Sequence, residues 1–294
     1  GHAVAESHPY HLGLEKFKEL VEERTNGQIE IDLYANATLG SERDMIEGLQ
    51  LGTIDFVVTS TGPVGNFIPE MNVVDLPFLF SSTEHAHKVL DGEVGQDLLK
   101  KFDDIEIVGL AFWENGFRHL TNSKHPVNVV EDIRGLKIRT MENAVHQDTF
   151  RHLGADPTPM AWGEVYSALQ QKTIHGQENP IPIIYNMNIH EVQPYIALTG
   201  HFYSPTLLLM GQKSFNKLTD EQQDIVRKAA MEAAVYERAQ IQEQEDEQLA
   251  KLEEAGAAIT RPDRIALREA TKPIYDKYEF NFGKELIDNI LAAE

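Results

Sequence analysis

The chain has 294 residues, room for two domains of ordinary size, and its 41% hydrophobic and 25% charged content is that of a folded globular protein rather than a disordered one. Its 26 basic and 47 acidic residues leave a formal charge of -21, which argues against nucleic acid or an anionic membrane as partner. It has no cysteine, so disulfides, thiolate metal sites and cysteine nucleophiles are excluded.

No run of apolar residues is long enough to span a bilayer, and no basic segment followed by an apolar core opens the chain. The expectation is an exported protein whose signal peptide is absent from this sequence.

Helical spacing of Leu12, Leu14, Phe17, Leu20 and Val21 predicts a first helix over 8–23, closed by Asn26-Gly27. The alternating stretch from Gln28 to Tyr34 predicts a half-buried strand. Ser41 is placed to cap a helix running to Leu51, and 55–60 reads as the next strand. This order suits a parallel sheet. A single helix is expected over 83–101 and a buried strand over 105–112. The alternation then resumes, with strands at 136–140, 173–177 and 196–199 and helices at 143–153 and 162–171. Two α/β units without a tether between them suggest lobes joined by strands. Thr219 and Gln222 have the spacing of a capping box, and no Gly or Pro follows before Gly256. One helix over 219–255 would extend about 50 Å at 1.5 Å per residue, enough to cross both lobes. The alternative is a helix broken by an unmarked kink.

Arg139 ends the strand that follows Asp132-Ile-Arg-Gly. In an open α/β sheet ligands sit beyond the carboxyl ends of strands, and a guanidinium there can take a carboxylate through two parallel hydrogen bonds. Such a pocket must overcome the acidic charge of the whole molecule. With a Debye length of roughly 8 Å at physiological salt, local arginines can do so. Read alone, Arg139 could equally be a surface arginine. Arg118 has an interlobe salt bridge as its alternative role, Asn179 the ordering of a turn before Pro180, and Trp162 plain core. His8, Ser60, Thr61, Asn66, Glu6 and Tyr185 are polar candidates for ligand hydroxyls. Each of these could instead be an ordinary capping, loop or surface residue.

His85-Ala-His87 and His8 with His11 are close pairs, but they lack the ligand number and helical spacing of a transition-metal site. No metal and no cofactor is expected. Phosphate-loop, dinucleotide and nucleophile-elbow motifs are absent. An enzyme acting on an anionic sugar remains a rival, with Glu164, Glu178 and His175 as its best residues.

The chain resembles the substrate-binding proteins of tripartite ATP-independent periplasmic (TRAP) transporters. The carriers are Ala37-Thr-Leu-Gly40 with Arg43, Gly52-Thr-Ile-Asp55, Leu76-Pro-Phe-Leu79, Arg118, Arg139, Gly154 to Ala161, Glu164-Val-Tyr166 and Gly176-Gln-Glu-Asn-Pro180. Each fragment alone is weak, whereas their order and spacing together are specific. The resemblance implies an α/β, two-lobe periplasmic binding protein fold, with the ligand cleft between the lobes and a long helix crossing both. It implies a carboxylate ligand clamped by Arg139 with help from Arg118 and Asn179, delivery to membrane permease subunits, and no chemistry. The expected division is 1–120 with about 205–235 as one lobe and 121–204 with about 245–275 as the other. A C-terminal helix over 276–294 would pack on both. The sialic-acid branch has acidic and basic residues where this chain has Ser60-Thr-Gly-Pro-Val64, which turns the expectation away from sialic acid. The indole of Trp162 offers a broad flat face, favouring a sugar acid such as a hexuronate, aldonate or keto-sugar acid. A C4-dicarboxylate or an aromatic or branched keto-acid is the alternative. A monomer is expected.

Overall fold

The structure is a computed structural model and describes residues 1–293. It begins with helices α1 (Pro9–Arg24) and α2 (Glu42–Leu51), strand β1 (Phe56–Ser60) and the single-turn α3 (Thr61–Val64). Helices α4 (Thr83–Asp91) and α5 (Glu93–Lys100) then lead into the long strand β2 (Ile107–Asn122). The middle of the chain alternates: β3 (Lys137–Thr140), α6 (Ala144–His152), β4 (Asp156–Pro159), α7 (Trp162–Gln170), β5 (Gly176–Asn179) and α8 (Ile181–Asn186). A second long strand, β6 (Tyr195–Gly211), returns through α9 (Gln212–Phe215) to α10 (Asp220–Glu254), then β7 (Ala258–Thr260), α11 (Arg264–Phe282) and α12 (Lys284–Ala292).

One sheet carries all seven strands, in the order β1-β6-β2-β5-β3-β4 with β7 beside β6. It is mixed rather than parallel. The pairs β1·β6, β6·β2 and β2·β5 are antiparallel, while β3·β4, β3·β5 and β6·β7 are parallel. The parallel expectation rested on local alternation of helix and strand. It could not see that β2 and β6, far apart in sequence, run antiparallel through the middle of the molecule and join the two lobes.

Apolar packing divides accordingly. Residues of α1, α2, β1, α4, α5 and the ends of β2 and β6 that pair beside β1 build two clusters, which include Phe17, Ile46, Phe102, Trp113 and Leu208. Residues of β3, α6, α7 and α8 contribute to the others, among them Ile138, Phe150, Val165 and Ile184. Helix α10 spans this division: Val226 to Ala234 enter one of the first clusters and Leu252 one of the second. Its alanines at 229, 230, 233 and 234 are buried and allow α1 to come close.

Further expectations are corrected. Gln28 to Tyr34 forms no strand, although Ile31 is buried and Glu30 and Asp32 are exposed as alternation requires. No strand lies alongside, and the backbone of Ile31 is held instead by the side chains of Glu22 and Lys18. The helix expected over 83–101 breaks at Gly92, where ψ is -164°. Asn115-Gly116 is a bulge inside β2, not the loop after a shorter strand. The C-terminal helix is two helices parted at Gly283, whose φ of +83° no ordinary side chain favours. Met231 is exposed on α10.

Candidate functional site

Strand β3 places Arg139 between β4 and β5, opposite Thr158 and Gln177. Its guanidinium is 2% exposed. Nε and Nη2 both donate to the carbonyl oxygen of Met160, at 2.9 and 2.7 Å. Met160 in turn donates its amide to Thr140, so the carbonyl is fixed from β3 itself. The indole of Trp162, first residue of α7, lies under the guanidinium at 5.6 Å. With one edge spent on Met160, the end-on edge of Nη1 and Nη2 is left free, and that edge fits a carboxylate fork.

Arg118 lies in β2, fully buried, and is already paired. Nη2 donates to Glu178 Oε1 at 2.8 Å and to the Glu178 carbonyl at 2.6 Å, while Nε donates to Oε2. His201 also contacts that carboxylate, at 3.2 Å. Burial pushes the Glu178 carboxyl up, but the Arg118 charge and the His201 hydrogen bond override it and hold the group well below the usual carboxylate range. Burial draws the His201 imidazole down to about 4 against the opposing pull of Glu178.

Arg139 has no such partner. Among the described residues no carboxylate stands within ion-pair distance of it. Burial, then the Arg118 charge, pull it down to about 10, while Glu178 and Glu42 pull the other way. It therefore stays charged at neutral pH: a buried cation without a counter-ion.

A narrow cavity of about 30 Å³ opens against it, well below the volume of a ligand-filled small-molecule site. Arg139, Met141, Trp162, Asn179 and Ile183 line one side and Ala3, Val4, Tyr10, Glu42, Ser60 and Asn115 the other, with Arg118 between them. Two polar atoms on this wall, Tyr10 Oη and Asn115 Oδ1, are sealed from solvent without a hydrogen-bond partner. Glu42 is half-buried. Its Oε1 accepts from Ser60 N at 2.9 Å and from Thr59 Oγ1 at 3.1 Å. Burial raises its pKa, and those hydrogen bonds with the charges of Arg139 and Arg118 oppose the rise.

Of the ten residues singled out in the sequence, Arg139, Arg118, Asn179, Trp162 and Ser60 meet at this cavity. The other five do not. His8 caps α1, its Nδ1 accepting from Tyr10 N at 3.2 Å. Thr61 turns away to Asp75, 3.1 Å from its hydroxyl. Asn66 donates to the Glu142 carbonyl at 2.6 Å and to Pro63, which makes it a strap between chain segments. Glu6 is exposed, and Tyr185 stacks on His190 with Lys251 over its ring. Trp162 joins the core as well as the cavity, and one face of its ring is taken by Arg139 rather than left for a ligand.

Tyr10, Asn115 and Glu42 were missed. Tyr10 lies inside a helical stripe, and Glu42 follows an N-cap. Asn115 had one available signal, the Asn-Gly step in an otherwise apolar strand, which marks bulges as well as turns. The enzyme rival finds no support in geometry. Glu178 is locked to Arg118, Glu164 is exposed, and His175 accepts from the Lys137 amide. His85 and His87 go separately to the Ile290 carbonyl and to Glu114.

Two lobes bridged by long strands, with a polar, charged cavity between them and no reactive constellation, define a solute-binding protein. The family model described as bacterial extracellular solute-binding protein, family 7, matches residues 1–281. The 2,3-diketo-L-gulonate-binding periplasmic protein of Escherichia coli is 38% identical over 271 residues, 92% of this chain and 83% of that one. A TRAP periplasmic solute-binding protein of Polaromonas sp. JS666, solved bound to D-erythronate, superposes with a TM-score of 0.98 at 43% identity, covering 99% of this chain and 97% of that one. Another from Chromohalobacter salexigens, with bound D-glucuronate, gives 0.96 at 33% identity, covering 100% and 98%. The chain belongs to family 7 of the bacterial extracellular solute-binding proteins, the periplasmic binding components of TRAP transporters, and it is not an enzyme. Among the described residues no helix is long and apolar enough to cross a membrane.

Proposed function

We propose that this protein captures a sugar acid with a single carboxylate, a hexuronate, aldonate or keto-sugar acid, and presents it to the permease subunits of a TRAP transporter. The observation that carries this reading is Arg139, a buried guanidinium with a free edge and no counter-ion. The ligand carboxylate takes that edge, with Arg118 Nη1 and the Asn179 amide beside it. The opposite wall selects hydroxyls: Glu42 accepts from them, and Tyr10, Asn115 and Ser60 donate or accept. A second carboxylate would meet Glu42, and Arg118 is already neutralised by Glu178, so a C4-dicarboxylate is disfavoured. Aromatic keto-acids are disfavoured because Arg139 already covers a face of the indole.

The lobes in this reading are 1–120 with about 205–235, and 121–204 with about 245–275. The ligand has partners on both, so the closed form binds it better than an open form does. That difference is what drives closure. The protein acts as a monomer in the periplasm and has no nucleic-acid partner. The identity of the relatives' ligands supports the class of acid, since the Polaromonas and Chromohalobacter proteins hold D-erythronate and D-glucuronate.

A thermal-shift screen tests this. D-glucuronate, D-galactonate and D-erythronate are compared with succinate and phenylpyruvate, since a ligand of the native state stabilises by RT ln(1 + [L]/Kd). At least one sugar acid raises Tm and the last two do not. A response to succinate alone, or to none of the sugar acids, overturns the reading.

A further inference from the structure

Strand β2 takes on one extra residue where it passes the cavity. Its register with β6 runs Trp113 to Thr206 and Glu114 to Pro205, then resumes with Gly116 opposite Ser204. Asn115 is the unmatched residue of a bulge, and Gly116 completes it at φ +109°. Bulges beside binding sites re-aim a side chain. Here the re-aimed side chain is Asn115, which is 2% exposed, lines the cavity and makes no hydrogen bond to the protein.

The bulge is fastened from outside the sheet. The amide of Glu114 donates to Glu237 Oε2 of α10 at 3.1 Å. The next residue, Arg238, donates to the Phe112 carbonyl at 2.9 Å, and Trp113 Nε1 donates to the Ala230 carbonyl of the same helix at 3.1 Å. Glu237 can reach because Gly13 leaves room, since a Cβ there would sit 2.8 Å from Glu237 Cβ and 2.7 Å from the Trp113 ring. The Glu114 side chain points elsewhere, to His87 at 2.8 Å. Glu237 is fully buried and its Oε1 has no partner. An apolar residue of the same length would fill the space but leave the buried Glu114 amide without an acceptor.

We infer that Glu237 is a positioning residue for ligand binding: it holds the β2 bulge that aims Asn115 at the solute. This rests on the reading that the cavity holds a sugar acid. Burial and the adjacent Glu114 push the Glu237 carboxyl well up, and its Oε2 accepts the Glu114 amide. An amide side chain can do the same, which separates positioning from charge.

The test pairs Glu237→Gln with Glu237→Met, alone and combined with Asn115→Ala. The readouts are calorimetric affinity for D-glucuronate and residue-resolved hydrogen exchange by NMR. Glu237→Gln is expected to bind within about threefold of the parent. Glu237→Met is expected to lose tenfold or more and to lose protection at the Glu114 amide. Glu237→Met with Asn115→Ala binds no worse than Asn115→Ala alone. Wild-type binding by Glu237→Met, or losses that multiply in the double variant, overturn the inference. Should Glu237→Met not fold, exchange in the parent decides: a protected Glu114 amide that stays protected in Glu237→Gln supports the fastening, and an unprotected one refutes it. If the parent binds no sugar acid, the reading of the ligand fails, while the exchange measurement still decides whether Glu237 holds the bulge.

Discussion

Replacing Arg139 probes the site most sharply, because the structure gives opposite signs for binding and for stability. The free edge of the guanidinium can offer a carboxylate two charge-assisted hydrogen bonds, worth about 1.5–3 kcal/mol each. Arg139→Met should therefore cost about 3–6 kcal/mol of binding, or roughly two to four powers of ten in Kd. Lysine keeps the charge but cannot hold Met160 and a fork at once, so Arg139→Lys should lose about one bond, roughly ten- to a hundredfold. The ligand-free protein should be no less stable with Met. The change removes a desolvated cation that has no counter-ion, and such groups are costly until their anion arrives. Titration calorimetry with D-glucuronate and urea denaturation of the empty protein read the two signs. Near-parental affinity in either variant, or a large loss of ligand-free stability in Arg139→Met with affinity retained, would refute the reasoning.

Glu42→Gln removes the charge that opposes a second carboxylate, so succinate should gain affinity relative to D-glucuronate in competition titrations. An unchanged ratio would remove Glu42 from selectivity. Burial holds the His8 imidazole down to about 3 and that of His2 also to about 3. Unfolded rings take up their protons near pH 6.5, so between those values the unfolded chain binds more protons and stability falls as pH drops. His8→Asn keeps a helix cap and cannot take up that proton, so its urea midpoint should fall less steeply between pH 6.5 and 4; an identical slope contradicts this. Gly116→Ala forces a side chain onto φ +109° and should cost about 1 kcal/mol or more by denaturation, together with a loss of ligand affinity.

How far the sequence could be read depended on whether each residue's task was local. Arg139 and Trp162 were legible only through the resemblance that ordered the fragments around them, since alone each had a surface or core reading as good. His8 and Thr61 have the same hydrogen-bonding chemistry as ligand residues, yet cap a helix and hold Asp75. No local pattern distinguishes those uses. Asn115 and Glu237 become partners of one bulge only through a helix more than a hundred residues downstream. The mixed sheet was hidden for the same reason, since the pairing of β2 with β6 is set by long-range packing. The strand at 28–34 shows the converse: its alternation is present in burial, but no strand ladder forms along it, and Tyr34 alone takes a bond from His2.

A crystal structure with D-glucuronate soaked or co-crystallised bears most directly on the anion site. Both carboxylate oxygens should lie about 3 Å from the η nitrogens of Arg139, with hydroxyls toward Glu42, Tyr10 and Asn115. A sugar acid seated with its carboxylate anywhere else, or Arg139 swung out of the cavity in the complex, would contradict it.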